Sequence, residues 1–373
     1  MPNPLIEDEL LSFMLDEVIG IDELLAFERF ADHDRESLEL HLRTVTRYAR
    51  QTLYPTYREF DEAPPVFEEG RVRVHPKMKE LYGPLVELGL VAAERPFEHG
   101  GQQLPRAFAS LAAMPMMASN CCCVGYAYLT GGSAHLIESF GSDAQRELFM
   151  SKMYGGEWTG TMSLTEPHAG SALADLSSSA RKVDDGSPDR YFIRGSKIFI
   201  SGGDQDFSEN IVHLTLARIE GDAAGTKGVS LFAVPRLRPE GDELVFNEVH
   251  TTQAIHKIGW KGLPSVALSY GEQDDCIGWL IGEPGKGLRY MFQMMNGARI
   301  FVGAQATATA SVAYHESLEY ARERKQGRPL TQRDPNSEPV PIIAHADVRR
   351  MLLRQKAITE GSLCLVLMAA RMS

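Results

Sequence analysis

Apolar residues recur at helical spacing in RESLELHLRTVTRYARQTL (residues 35–53) and HPKMKELYGPLVELGLV (75–91). Ser142 and Gln145 form an S-x-x-Q pair that predicts the capped start of a helix running through Met153. From about 156 the pattern changes to short runs rich in β-branched and aromatic residues: RYFIRGSKIFIS, NIVHLTLARI, KGVSLFAV, SVALSY and DCIGWLIG. Gly, Asp and Ser clusters separate them with no helical stretch between, which predicts an antiparallel β-domain rather than a doubly wound sheet. The helical period returns after GEPGKG, in GLRYMFQMMNGARIFVGAQATATASVAYHESLEYARERKQ. A polar loop, TQRDPNSEPVP, then leads to a last helix in HADVRRMLLRQKAITEGSLCLVLMAARM. The predicted fold class is α+β: a helical domain over 1–155, a β-domain over 156–282 and a helical domain over 283–373. Because LCLVLMAA still presents apolar surface near Ser373 and two long helices cannot cover each other's stripes alone, the last domain is expected to be an incomplete, truncated bundle.

Composition narrows the function classes. The 373 residues are 43% hydrophobic, enough for more than one core. Lys and Arg total 38 against 50 for Asp and Glu, and a net charge of -12 without a basic block argues against nucleic acid as a partner. The start, MPNPLIEDELL, is acidic where a signal peptide is basic, and no run is expected to reach the apolar length of a membrane span. A cytoplasmic protein follows from that reading. Cys121, Cys122 and Cys123 are consecutive and diverge on a helix, which suits reduced thiols rather than a disulfide framework. Cys276 and Cys364 supply no second cluster for zinc, so no metal site is expected.

The candidate chemistry lies at two strand ends. MSLTEPHAGS (162–171) runs from an apolar stretch into an acid, a proline and small residues, a pattern that by itself also describes ordinary turns. KIFISGGDQ (197–205) ends a second strand in a glycine pair; a hairpin edge with Phe199 in the core is the alternative there. Both stretches offer exposed backbone donors, a small hydroxyl and an apolar wall. A flavin needs that combination, because its ring is flat and apolar, its N5 takes hydride better beside a donor, and its pyrophosphate favours backbone NH groups. Leu164, Thr165 and Ser201 can face such a ring, while Gly170 and Ser171 can admit phosphates. Arg299 and Arg324 lie 25 residues apart in the long helical stretch, near one face yet roughly 37 Å apart if the helix is straight, too far to serve one phosphate.

These residues resemble the acyl-CoA dehydrogenase family: a T-E-P-x-x-G-S turn, a K-x-F-I-S strand end, an R-I-x-x-G start and an E-R-K-Q-G-R segment stand in family order across nearly the whole chain. TEPHAGS, HKIGWKG, GEPGKGL and ARERKQGRPL look most like its longer bacterial subfamily, which includes 3-methylmercaptopropionyl-CoA dehydrogenase. The resemblance implies a FAD flavoprotein and oxidoreductase of acyl-CoA and fatty acid metabolism. It implies acyl-CoA as substrate, a separate electron acceptor such as electron-transfer flavoprotein, and a homodimer or higher homo-oligomer. Met162, Leu164, Thr165, Gly170 and Ser171 match the first flavin loop, with Ser171 also close to the CoA thioester. Phe199, Ile200 and Ser201 match the second flavin strand, where the hydroxyl bonds N5 and the aromatic covers the ring. Asn296 and Arg299 match the helix segment that touches acyl-CoA. Arg324 and Gln326 match the segment that reaches FAD in a neighbouring subunit, which accounts for the separation of the two arginines.

The chain departs from the pattern at Ala172, where many relatives have Asp, and at Gly327, which directly follows Gln326 where many have F-G. The usual catalytic glutamate lies near the family's C-terminus, before a G-T-x-G segment, and this sequence ends before it. The alternative base position on the long helix is Ala298, and Glu316, Glu319 and Glu323 match no known base, so no catalytic residue is assigned. Alternatives are a flavin-binding or scaffold relative without a base, and an acyl-CoA oxidase.

Overall fold

The computed structural model describes residues 3–331 and 334–373. Gln332 and Arg333, in the polar loop anticipated from the sequence, and Met1 and Pro2, in its acidic start, lie outside the described residues. Helices run in the order α1 Asp8–Phe13, α2 Ile21–Leu25, α3 Arg35–Tyr48, α4 Tyr57–Glu62, α5 Lys77–Glu87, α6 Arg106–Phe140, α7 Asp143–Gln145, α8 Ser151–Tyr154, α9 Gly287–Glu323 and α10 Ala346–Met372. A strand pair, β1 Val66–Glu68 and β2 Arg71–Arg73, falls between α4 and α5. The remaining strands are β3 Trp158–Ser163, β4 Ser179–Lys182, β5 Arg190–Ser201, β6 Asn210–Ile219, β7 Val229–Pro235, β8 Leu237–Glu240, β9 Glu243–Phe246, β10 Val249–Ile255, β11 Ser265–Tyr270 and β12 Ile277–Leu280. Contacts divide the chain into two compact units, one of Met1–Tyr57, Leu104–Cys121 and Arg299–Ser373, the other of Arg58–Gln103 and Cys122–Ala298.

The second unit is built on the sheet. β5 pairs with β12, β12 with β7, β7 with β6, β6 with β4, and β4 again with β5, so the pairings close on themselves. One buried core cluster joins Ile193, Ala217, Phe232 and Val234 of these strands with Val266, Leu268 and Tyr270 of β11. The far half of the twelve-residue β5 leaves this ring to pair with β11, which pairs with β10. Most pairs are antiparallel, as expected, but β3 and β4 each run parallel to β6, so the sheet is mixed. Parallel pairing requires a long connection, and loops of this length hide it from local pattern reading. The β1–β2 hairpin was likewise not anticipated in a segment read as helical.

Two expectations about helices meet the structure differently. The Ser142–Gln145 capping box is present, each side chain bonded to the other's backbone NH, at the start of the helical run through Tyr154. The expectation that no run is long and apolar enough to cross a membrane is corrected. α6 contains such a window by length and composition, and 83% of that window is buried inside the protein. A helix apolar on all sides is suited to a protein interior, and packing already uses this surface. α6 is also broken at Asn120 (φ -147°, ψ 85°), whose amide donates to Thr56 Oγ1 at 2.9 Å.

In the first unit the N-terminal segment is tied to α9. Ser311 donates to the Leu5 carbonyl at 2.6 Å, and Glu316 accepts from Asn3 Nδ2 at 2.9 Å and Tyr54 OH at 2.5 Å. Arg35, which opens α3 behind an Asp34–Ser37 capping box, bridges Asp16, Asp22 and Glu39. α10 buries Leu352, Leu363, Leu367 and Ala370 and leaves Leu353 and Leu365 exposed, the apolar surface read from the sequence. None of the five cysteines is in a disulfide; Cys122, Cys123 and Cys276 are buried, Cys121 and Cys364 half-buried. No cluster suited to a metal ion occurs among the described residues.

Candidate functional site

The two stretches singled out in the sequence meet in the second unit. β3 ends at Ser163, and the chain that follows passes beside the far end of β5, where the Ile198 NH donates to the Thr165 carbonyl at 2.9 Å. That end of β5 is bulged. Lys197 pairs with Leu268 and Ile200 with Val266, so Ile198 and Phe199 together face Ala267. A bulge reverses the in-and-out alternation of a strand. Tyr191, Ile193 and Lys197 are buried before it and Ile200 after it, while Phe199 is turned outward, 60% exposed. Phe199 also has φ +62°, a left-handed conformation that costs an L-residue about 1–2 kcal/mol. The alternative reading with Phe199 in the core is therefore overturned. Strained, exposed aromatics of this kind occur where function holds them.

A polar interior frames this edge. Lys197 and Glu166 are fully buried and form an ion pair at 2.9 Å, and Lys197 also donates to the Leu164 carbonyl at 3.0 Å. Glu166 accepts further bonds from Ser177 N and Oγ, both at 2.8 Å, and from Ser178 N at 3.0 Å. Burial disfavours the Glu166 charge, but the Lys197 ammonium and the Ser177 and Ser178 donors outweigh it and hold the carboxyl well below its usual range. Burial likewise lowers the Lys197 ammonium, with Glu166 opposing the shift. β5 comes so close to Ser178 at Gly195 (φ +151°) that a Cβ there would run into it. On the other side, Gly202 N donates to the Pro264 carbonyl at 2.8 Å. Buried Asp204 then accepts from Val72 N at 2.8 Å, Arg71 Nε at 3.0 Å and Thr251 Oγ1 at 2.9 Å, so the β1–β2 hairpin anchors the chain just past Ser201.

The expected flavin residues of this unit lie on β3, on the chain that follows it and on the far end of β5. Leu164 and Ile200 are buried, Met162, Thr165 and Ser201 half-buried, and Gly170, Ser171 and Phe199 exposed. Among the described residues the hydroxyls of Thr165, Ser171 and Ser201 have no partner, although nearby Thr161, Ser163 and Ser177 are all bonded. A Cβ on Gly170 would meet nothing nearer than the Thr165 methyl at 3.6 Å, so the backbone there is open to approach. Unused hydroxyls, an outward aromatic and accessible backbone fit a flat apolar ring with a phosphate tail. Asn296 and Arg299 are exposed on one face of α9. Arg324 and Gln326 belong to the first unit, in the turn after α9. There Gln326 N donates to the Val340 carbonyl at 3.0 Å and Ile342 N to the Arg324 carbonyl at 2.8 Å. Ala298 is half-buried and non-ionisable, and Glu316 is taken up by Tyr54 and Asn3. Lys197, Glu166, Asp204 and Arg71, which frame the edge, were not singled out from the sequence.

The fold and the edge together define a family. The N-terminal domain of acyl-CoA dehydrogenases matches residues 35–157, the middle domain 161–272 and the C-terminal domain 285–373. The chain belongs to the acyl-CoA dehydrogenase family, whose members are FAD-dependent oxidoreductases. It is 37% identical over 359 residues to a 3-methylmercaptopropionyl-CoA dehydrogenase of Ruegeria pomeroyi, covering 96% of this chain and 60% of that protein. It is 33% identical over 362 residues to a butyryl-CoA dehydrogenase of Syntrophomonas wolfei, covering 94% and 58%. The chain thus spans about three fifths of the length of these curated relatives. Its fold is similar to that of a glutaryl-coenzyme A dehydrogenase solved with glutaryl-CoA, with a TM-score of 0.72 and 22% identity, covering 91% of this chain and 77% of that one.

Proposed function

We propose that the full-length protein is a cytoplasmic, FAD-dependent acyl-CoA dehydrogenase that introduces an α,β-double bond into an acyl-CoA thioester. The observation that supports this reading is the Ile198-to-Thr165 hydrogen bond, which joins the two strand ends into one edge bearing the Thr165 and Ser201 hydroxyls, without partners among the described residues, and an outward Phe199. Bound FAD supplies a hydride acceptor at N5. On this reading Ser201 and Thr165 donate to the ring's polar rim, Phe199 covers one side of it, and Leu164 and Ile200 give it an apolar backing. Gly170 leaves room for the pyrophosphate, and Ser171 lies close to both the cofactor and the thioester. Asn296 and Arg299 hold acyl-CoA, and Arg324 and Gln326 contact FAD across a homodimer or higher homo-oligomer. An electron-transfer flavoprotein or similar acceptor takes the electrons.

Ser201→Ala in the full-length enzyme tests the assignment. The hydroxyl acts on charge developing at the ring, so the rate of flavin reduction in stopped flow is expected to fall about tenfold or more while FAD affinity changes less. An unchanged reduction rate removes Ser201 from the role. Wild-type protein that stays yellow with both butyryl-CoA and 3-methylmercaptopropionyl-CoA supports a flavin-binding relative without dehydrogenation. Rapid peroxide formation after reduction supports an oxidase.

A further inference from the structure

A buried ion pair is a poor device for stability alone, since apolar residues of similar volume often replace one at no loss. The Lys197–Glu166 pair therefore calls for another account, and its partners supply one. The Lys197 ammonium binds the Leu164 carbonyl and the Glu166 carboxylate, both on the chain leaving β3, from a position inside β5. Glu166 carries the connection on to Ser177 and Ser178, and Ser178 approaches β5 at Gly195. The next residue along β5, Ile198, bonds Thr165, and the one after it is the left-handed Phe199. Each contact of the pair therefore ends on a segment that carries or supports the outward edge.

We propose that Lys197 and Glu166 are positioning residues, whose ion pair locks the 164–166 segment to the bulged end of β5 and so sets the Thr165–Phe199–Ser201 edge before FAD arrives. The inference rests on the flavin-site reading above and adds to it the residues that hold the edge. Neither side chain is exposed, so neither touches the ring; they act through the backbone of Leu164, Thr165 and Ile198. The requirement is electrostatic and directional, because Lys197 must reach two acceptors at once and Glu166 must accept from Lys197 and two consecutive serines.

Two measurements on the full-length protein test this. In flavin-stripped wild type, the Ile198 amide is expected to be as protected from hydrogen exchange as in the FAD-bound form. Free exchange without FAD and protection only with it overturns the proposal, because the edge is then ordered by the cofactor. The Glu166→Gln/Lys197→Met double variant keeps the volume and removes the charges. It is expected to bind FAD at least tenfold more weakly. At saturating FAD and butyryl-CoA it is expected to reduce flavin at least tenfold more slowly, with an altered visible circular dichroism of the bound flavin. A merely structural pair leaves the saturated rate and that dichroism unchanged, and wild-type values for all three readings overturn the proposal. If the double variant does not fold, the exchange result on the wild type decides. A wild type that is not reduced by butyryl-CoA or 3-methylmercaptopropionyl-CoA counts against the dehydrogenase reading alone, since exchange at Ile198 and FAD affinity remain readable.

Discussion

The edge around Thr165 and Ser201 and the turn carrying Arg324 and Gln326 are both proposed above to meet the same cofactor, yet they are built in opposite ways. Behind the edge, Lys197 and Glu166 are sealed from solvent and bonded to each other and to neighbouring backbone. In the turn, Arg324 and Gln326 are exposed; their side chains meet only at 3.3 Å, and backbone bonds to Val340 and Ile342, with a 2.7 Å contact from His345 Nε2 to the Gln326 carbonyl, hold the chain. A flat ring must be held at a fixed distance and tilt, which calls for a rigid wall. A guanidinium meeting an anion needs only a fixed origin, because its long side chain finds the rest of the geometry.

This contrast has measurable consequences. The largest is expected at Lys197→Ala, which strands the Glu166 carboxylate inside the protein and is expected to cost about 3–5 kcal/mol in urea unfolding. A loss below about 1 kcal/mol breaks the comparison. A second test concerns His213, buried on β6 with Nδ1 at 2.7 Å from Thr161 Oγ1. Burial, with the Arg236 guanidinium adding to it, pushes its pKa down to about 3. The unfolded chain therefore takes up a proton near pH 6.5 that the folded chain refuses until about pH 3. Stability is expected to fall as pH drops through that window, by about 2 kcal/mol between pH 7 and 5 from this residue alone. His213→Gln is expected to remove that slope. The smallest effect is expected at Arg324→Ala, within about 0.5 kcal/mol of wild type by urea unfolding, while FAD affinity falls about tenfold.

The architecture was legible from local pattern. The long apolar-spaced stretches became α9 and α10, the S-x-x-Q pair became a capped helix, and the β-branched runs became strands of the middle sheet. What stayed hidden was decided by residues distant in sequence. Lys197 sits in a strand between Ser196 and Ile198 and reads as a solvated residue; only its partner Glu166, 31 positions away, shows why it is inside. The alternative of a core Phe199 came from strict alternation, which places it on the same side as Ile193 and Lys197. The bulge opposite Ala267, which belongs to the pairing with β11 rather than to β5 itself, turns it out. The β1–β2 hairpin is three residues a side, too short for periodicity, and owes its place to Asp204. The two candidate strand ends were singled out by residue chemistry and family motifs, and the structure adds that the Ile198 NH bonds the Thr165 carbonyl, which joins the one stretch to the other.

Helical bonding in α9 continues without interruption from Arg299 to Arg324, whose NH still bonds the Tyr320 carbonyl at 2.8 Å. Deleting a single residue between them would swing every later side chain by about 100° and draw it back by about 1.5 Å. Removing seven would leave the azimuth nearly unchanged and shorten the rod by about 10 Å. If the two arginines hold the ligands proposed for them, this span tolerates substitution more readily than changes of length, and the residue count between them acts as a molecular ruler.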